Sequence, residues 1–158
     1  MDKTVQKIYG HRVRTRVSAL CWERDNLLLI NHRGLYLHDF WAPPGGGLEF
    51  GHSAEANLIR EFKEETGLDI QIGQFRFACE FIQPPLHAIE LFFDVSVRGG
   101  GLRIGTDPEM GKMEQIIKEL KYMSESKIKA IPEGHKHGLF KFAKTVEKIR
   151  ALKGYLKI

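Results

Sequence analysis

Residues Val13 to Cys21 (VRTRVSALC) begin with an apolar/polar alternation, and three of them are β-branched, the signature of a strand. Residues 23–26 (ERDN) read as a turn, and Leu27 to His32 (LLLINH) as the hairpin partner. Trp41 to Gly47 (WAPPGGG) reads as loop throughout, because two prolines and three glycines in seven residues fit neither a helix nor a strand interior. From Ala54 to Thr66 no Gly or Pro interrupts a run rich in Ala, Leu, Glu, Lys and Arg. That run predicts a helix, with Ser53 as its N-cap and Gly67 as its left-handed stop; Ala56 leaves the capping box incomplete. Three β-favouring segments follow, LDIQI, QFRFACEFI and HAIELFFDVSV, punctuated by Gly73 and by Pro84-Pro85. They predict two or three strands of a largely buried sheet. Gly99-Gly100-Gly101 opens a long loop to about Met113, with a strand near Gln115 to Met123 and a second helix from about Leu139 to Leu152. The order predicts a layered α/β (α+β) fold in a single domain over residues 1–158.

At 158 residues, with 42% apolar and 28% charged positions, the chain has the balance of one globular core. Its longest aliphatic run, Leu27 to Ile30, is far short of the roughly 20 apolar residues of a bilayer-spanning helix. The opening residues carry no apolar signal core, so the expectation is a cytoplasmic protein that does not engage membranes. Cys21 and Cys79 sit in apolar segments without metal-type spacing and read as reduced core thiols. Charge is uneven: residues 1–110 hold 12 Lys+Arg against 15 Asp+Glu, and residues 111–158 hold 12 against 5. The basic segment reads first as the solvated face of a terminal helix, and second as a surface for polyanions. The run His135-Lys136-His137 has no third metal ligand nearby and reads as surface.

Chemistry concentrates between Gly45 and Leu68 (GGGLEFGHSAEANLIREFKEETGL). Glu61, Glu64 and Glu65 have i, i+3, i+4 spacing, which places three carboxylates within about 100° of one helix face. Leu58, Ile59 and Phe62 fall on an adjoining face that packs toward the sheet, and Arg60 stands four residues before Glu64. Acidic side chains in the last turn oppose the helix dipole, and like charges at i, i+4 repel. A bound divalent cation reverses both penalties. Gly45, Gly46 and Gly47 supply a loop without Cβ atoms, along which backbone groups approach a metal or phosphate.

This segment resembles the Nudix box, G-x5-E-x7-R-E-U-x-E-E-x-G-U with U apolar. Gly46, Arg60, Glu61, Phe62, Glu64, Glu65, Gly67 and Leu68 stand at eight of its nine specified positions; the ninth, Glu in the family, is His52 here. That glutamate mainly supports the loop and helix start, so His52 is expected to tune metal affinity. The resemblance implies a Nudix-type α/β/α sandwich with a mixed β-sheet. It also implies a hydrolase that uses Mg2+ or Mn2+ to attack the pyrophosphate of a nucleoside diphosphate linked to another moiety. By position, Glu61 and Glu65 are expected as the main metal ligands, with Glu64 as a further ligand or base and the Gly45 carbonyl as another ligand. Arg60 is expected to orient.

A further loop glutamate often completes such sites, and Glu114 or Glu109 is expected to supply it, with Glu119 on the following strand as the outside candidate. Gly46, Gly47, Arg33, Phe81 and Pro84 are the expected substrate contacts. Pro84 lies sixteen residues after Leu68, a spacing shared with many ADP-ribose hydrolases of the family. Tyr36, Phe40 and Trp41 are further aromatic candidates, Trp41 first as a core anchor; Arg14 and Arg16 are candidates for a terminal phosphate. The expected partner is a small nucleotide-type substrate, with ADP-ribose or a nucleotide sugar nearest, and no nucleic acid; a homodimer, common in the family, is left open by the residues. Two other readings stand beside it. One is a nucleoside triphosphate pyrophosphatase; the other is a non-hydrolytic nucleotide or RNA binder in which His52 marks lost catalysis.

Overall fold

A computed structural model describes residues 3–32, 38–105 and 117–158. Arg33, Tyr36, Glu109 and Glu114 therefore lie outside the described residues. The elements in order are α1 (Lys3–Tyr9), β1 (Arg12–Glu23), β2 (Asn26–His32), β3 (Trp41–Ala42), β4 (Gly45–Gly47) and α2 (Ala54–Thr66). There follow β5 (Leu68–Gln83), β6 (Leu86–Gly100), β7 (Ile117–Met123), α3 (Glu125–Ala130), α4 (Leu139–Phe142), α5 (Val146–Ala151) and β8 (Gly154–Lys157). A single 3-10 turn, Glu133–His135, lies between α3 and α4.

The strands form a mixed eight-stranded sheet in the order β3-β2-β1-β6-β5-β8, with β4 also on β1 and β7 on β2. β1 runs parallel to β6 and β5 parallel to β8; the remaining pairs are antiparallel. Alternation along β1 divides the core. Val17, Ala19 and Cys21 pack with Leu58 and Phe62 of α2 on one face. Leu20, Leu27, Leu29, Phe77 and Phe92 pack with Trp41, Ile128, Leu139, Phe140 and Ile149 on the other. Helices thus cover both faces, the α/β/α sandwich of mixed sheet. Cys21 and Cys79 are free thiols in this core, and burial pushes both thiols up, Cys79 to about 12.

The helix at Ala54–Thr66 forms as expected: the Ser53 hydroxyl accepts from Ala56 N–H at 3.1 Å, and Gly67 closes it at φ 75°. Four expectations change. Trp41–Ala42 and Gly45–Gly47 are short strands rather than loop: the first pairs with β2, and the second, a backbone without Cβ atoms, lies flush against β1. One long strand, β5, replaces the pair broken at Gly73; it absorbs the glycine through register shifts against β6. β6 continues through Gly99 and Gly100, pairing them with Asp69 and Leu68.

The terminal helix is two short ones, since Ala143 turns extended (φ −131°, ψ 99°) and Thr145 starts α5 by accepting from Lys148 N–H at 3.2 Å. The basic segment is therefore no single solvated helix face.

Candidate active site

Helix α2 meets the glycine strand β4 along one stripe of three residues, Asn57, Glu61 and Glu65, at i, i+4, i+8. All three are buried, the two carboxylates at 2% and 3% exposure. Asn57 Nδ2 donates to the Gly47 carbonyl at 2.8 Å, and Gly45 N–H donates to Glu65 Oε2 at 2.9 Å. Between them, Glu61 presses its carboxylate on Gly46, where a Cβ would stand 2.3 Å from Glu61 Cδ. With contact that close, a side chain at position 46 would have to displace the Glu61 carboxylate. A Cβ on Gly45 would likewise meet the Val17 carbonyl oxygen at 2.1 Å, so the strand is held from both sides.

The third glutamate behaves differently. Glu64 is one-third exposed and takes Arg60 Nη1 at 2.9 Å. Arg60 Nη2 reaches Glu61 at 2.8 Å, Glu49 at 3.0 Å and Asn57 Oδ1 at 3.2 Å. Burial works against the Arg60 charge, but the carboxylates of Glu61, Glu64 and Glu49 overcome it and raise its pKa. Arg60 thus bridges Glu61, Glu64, Glu49 and Asn57. Ile59 departs from expectation: it is 43% exposed, because it lies on the solvent stripe with Glu55 and Lys63 while Leu58 and Phe62 enter the core.

At the helix C-terminus, Gly105 N–H donates to the Glu65 carbonyl at 2.9 Å and Arg103 N–H to the Thr66 carbonyl at 2.9 Å. These bonds satisfy two of the last orphan carbonyls. They also bring the chain to the acidic end of α2 just before residues 106–116, where Glu109 and Glu114 lie.

Glu61, Glu65 and the β4 backbone form a hard-oxygen donor set against a wall without side chains. Among the described residues no three His, Cys, Asp or Glu side chains converge as a complete metal cage. Two carboxylates with backbone, water and substrate oxygens completing the shell is how Mg2+ is commonly held, so the residues fit that ion or Mn2+. His52 is exposed, 3.4 Å from Glu49 and at the entrance to α2.

On the sheet face away from α2 lies a second polar cluster that sequence reading missed. Glu90 on β6 accepts from Ser18 Oγ at 2.5 Å and from His137 Nε2 at 2.8 Å, with Arg16 Nε 3.7 Å away. Burial raises the Glu90 carboxyl, but the His137 ring, Arg16 and Ser18 outweigh it and hold the pKa at about 2. His32 is buried beside them; desolvation, helped by Arg16 and opposed by Glu90, lowers its ring to about 4.

Leu139 N–H donates to His137 Nδ1 at 3.1 Å, leaving Nε2 to carry the proton toward Glu90. The expectation of a surface His135-Lys136-His137 run is therefore corrected: Lys136 and His137 are each 8% exposed, and Lys136 Nζ donates to the Ile128 carbonyl at 3.0 Å. Only tertiary pairing turns these charges inward. The signal available for Asn57 was its place four residues before Glu61; for Glu90, Ser18 and His137 there was none.

The remaining candidates divide. Phe81 is half-buried on the Glu90 face, paired with Ala88 as Cys79 is with Glu90. Trp41 is a core residue at 8% exposure, and Phe40 donates its N–H to Asn31 Oδ1. Arg14 lies over the Tyr9 ring. Pro84 is exposed at the far end of the β5–β6 hairpin, in a cis Pro84-Pro85 unit. Leu86 pairs with Arg12, whereas Gly47 pairs with Arg16, so the hairpin end lies four residues, about 13 Å, along β1 from the glycine strand.

Known proteins share this mixed-sheet fold. The family model of the NUDIX domain matches residues 12–143. The chain belongs to the Nudix family. The ADP-ribose pyrophosphatase of Methanocaldococcus jannaschii is 35% identical over 88 residues, 54% of this chain and 52% of that protein. Nudix hydrolase 10 of Arabidopsis thaliana is 26% identical over 140 residues, 89% of this chain and 47% of the relative. The chain thus spans about half the length of these curated relatives. A Nudix hydrolase from Nitrosomonas europaea superposes with a TM-score of 0.72 at 20% identity, covering 89% of this chain and 90% of the other, and shares the fold. No described helix is long and apolar enough to cross a membrane.

Proposed function

We propose that this chain hydrolyses the pyrophosphate bond of a nucleoside diphosphate linked to another moiety, with Mg2+ or Mn2+ held by Glu61 and Glu65. The observation that carries the reading is the pair of buried carboxylates one turn apart, pressed on a strand of three glycines. Two like charges in a desolvated place cost folding energy, and a cation there offsets the cost. A bound metal supplies charge neutralisation at the phosphate oxygens and a lowered pKa for attacking water.

The residues divide that work. Arg60 ties Glu61, Glu64 and Glu49 into one geometry. Glu64, partly exposed at the stripe's edge, is the further ligand or base; Glu114 or Glu109 completes the set. The Gly45 carbonyl is an additional ligand, while Gly46 and Gly47 let the substrate phosphates approach the backbone. Arg33, which follows directly on β2 in the sequence, is the basic substrate contact.

ADP-ribose is the nearest substrate, since the archaeal relative of 35% identity is named an ADP-ribose pyrophosphatase. A coupled phosphate-release assay over ADP-ribose, nucleotide sugars, diadenosine polyphosphates and nucleoside triphosphates tests this, with Glu65→Gln as control. Turnover of a diphosphate-linked substrate that disappears in the control is expected. Pyrophosphate release from triphosphates alone would move the reading to a triphosphate pyrophosphatase. Binding without turnover would retire the hydrolase reading.

A further inference from the structure

Asn57 on α2 is wholly buried, and both ends of its carboxamide engage the segment that joins the glycine strand to the helix. Nδ2 donates to the Gly47 carbonyl at 2.8 Å, while Oδ1 accepts from Glu49 N–H at 3.3 Å and from Arg60 Nη2 at 3.2 Å. Leu48 N–H donates in turn to the Thr15 carbonyl of β1 at 2.9 Å. The Gly47–Leu48 peptide is therefore gripped from the helix at its oxygen and from the sheet at its nitrogen. With two bonds on the carboxamide oxygen, both lone pairs are used and none is left for a metal.

Other side-chain contacts of this segment lie at the surface. The Glu49 carboxylate is half exposed where it meets Arg60 at 3.0 Å and the His52 ring, also half exposed, at 3.4 Å. Exposed ion pairs compete with water and salt and hold a backbone weakly; losing the buried Asn57 bond leaves the Gly47 carbonyl without that donor. On one side the segment continues Gly46, which lies on the Glu61 carboxylate. On the other, residues 47–52 wall a cleft of about 750 Å3 together with α1 and the first residues of β1, a volume within the roughly 300–1,000 Å3 of small-molecule sites. A substrate whose pyrophosphate lies on the glycine strand meets this segment next.

We propose that Asn57 is a positioning residue for the substrate: its carboxamide fixes residues 47–49 in the place where the diphosphate and the group beyond it bind, without touching the reacting atoms. The proposal deepens the pyrophosphohydrolase reading and rests on it for the identity of the substrate, while the clamp stands on the three hydrogen bonds. Glu61 and Glu65 reach Gly46 and Gly45 directly, so cation affinity does not depend on the carboxamide.

Two variants test this. Asn57→Ala removes every bond; Asn57→Asp has the same shape, keeps the acceptor for Glu49 and Arg60 and loses the donor to Gly47. Amide hydrogen exchange at Glu49 is expected to quicken at least about tenfold in Asn57→Ala and to stay within about threefold in Asn57→Asp. KM is expected to rise at least about tenfold in both, with kcat and calorimetric Mn2+ affinity within about threefold of wild type. A KM within threefold of wild type in either folded variant, or Mn2+ affinity that falls as far as KM rises, overturns the proposal. Unfolding of both variants makes Asn57 purely structural and overturns it too. Absence of turnover in the wild type retires the hydrolase reading instead; calorimetric affinity for the same nucleotides then takes the place of KM, and no binding at all would end the proposal as well.

Discussion

The two faces of the sheet carry polar clusters of opposite character. Against α2, Asn57, Glu61 and Glu65 meet Gly47, Gly46 and Gly45 across 10 to 20 residues of sequence, and acidic oxygen dominates. On the opposite face, Ser18 and His137 reach Glu90 across 72 and 47 residues, and every carboxylate oxygen finds a hydrogen-bond donor. The first cluster concentrates like charge that a cation would relieve; the second neutralises its own charge and joins the C-terminal helices to the sheet. Burial of carboxylates therefore has two meanings in one molecule. The donors around a carboxylate decide whether it belongs to chemistry or to stability.

The largest expected effect breaks the α2 side. Gly46→Ala puts a methyl into the Glu61 carboxylate, and turnover is expected to fall at least about 100-fold, several kcal/mol of lost metal-centred stabilisation. Gly134→Ala, where a Cβ meets nothing within 4 Å, is the matched control and leaves turnover within about twofold. Steady-state kinetics on the preferred substrate separate the two; equal losses would remove the close-contact explanation.

His137→Ala attacks the other face. It strips one donor from a carboxylate held at about 2 and is expected to cost about 3 kcal/mol of stability in urea unfolding, with far less effect on kcat than Gly46→Ala. A collapse of kcat at unchanged stability would place His137 in the reaction instead.

A smaller effect sharpens the comparison through pH. His32 is held at about 4 against 6.5 for a free ring, so between these values the unfolded chain binds the proton that the folded ring refuses. Its contribution is present above about 6.5 and lost as pH falls toward 4, at most about 3 kcal/mol. Glu90 acts lower: its contribution is present above about 4.5 and lost as pH falls through about 2. Urea midpoints for wild type and His32→Asn, followed from pH 7 to 4, should converge as pH falls; parallel curves would show that the ring is not a buried neutral group.

The smallest expected change is local. Ser53→Ala removes the α2 cap and is expected to cost about 1 kcal/mol, read from the same unfolding curves. A loss below a few tenths would mean that the side chain caps nothing in solution.

Legibility followed the same division. Helix α2, its caps and the box residues were readable because each depends on spacings of three or four residues, and Asn57 lay one further step along the same stripe. The strand nature of Gly45–Gly47 was not readable, since it arises from the approach of β1 and Glu61 rather than from glycine's own preference. The split at Ala143 and the inward turn of His137 depend on partners far along the chain. Nothing local to HKH distinguishes a surface run from one whose last ring closes on Glu90.

Calorimetric titration of Mn2+ into wild type and Glu65→Gln tests most directly that the Asn57, Glu61, Glu65 stripe is a divalent-cation site. Binding to the wild type, weakened at least tenfold in Glu65→Gln with the fold intact, is the expected result. Equal Mn2+ affinity in the two proteins would contradict it and make the buried carboxylates, like Glu90, part of the scaffold.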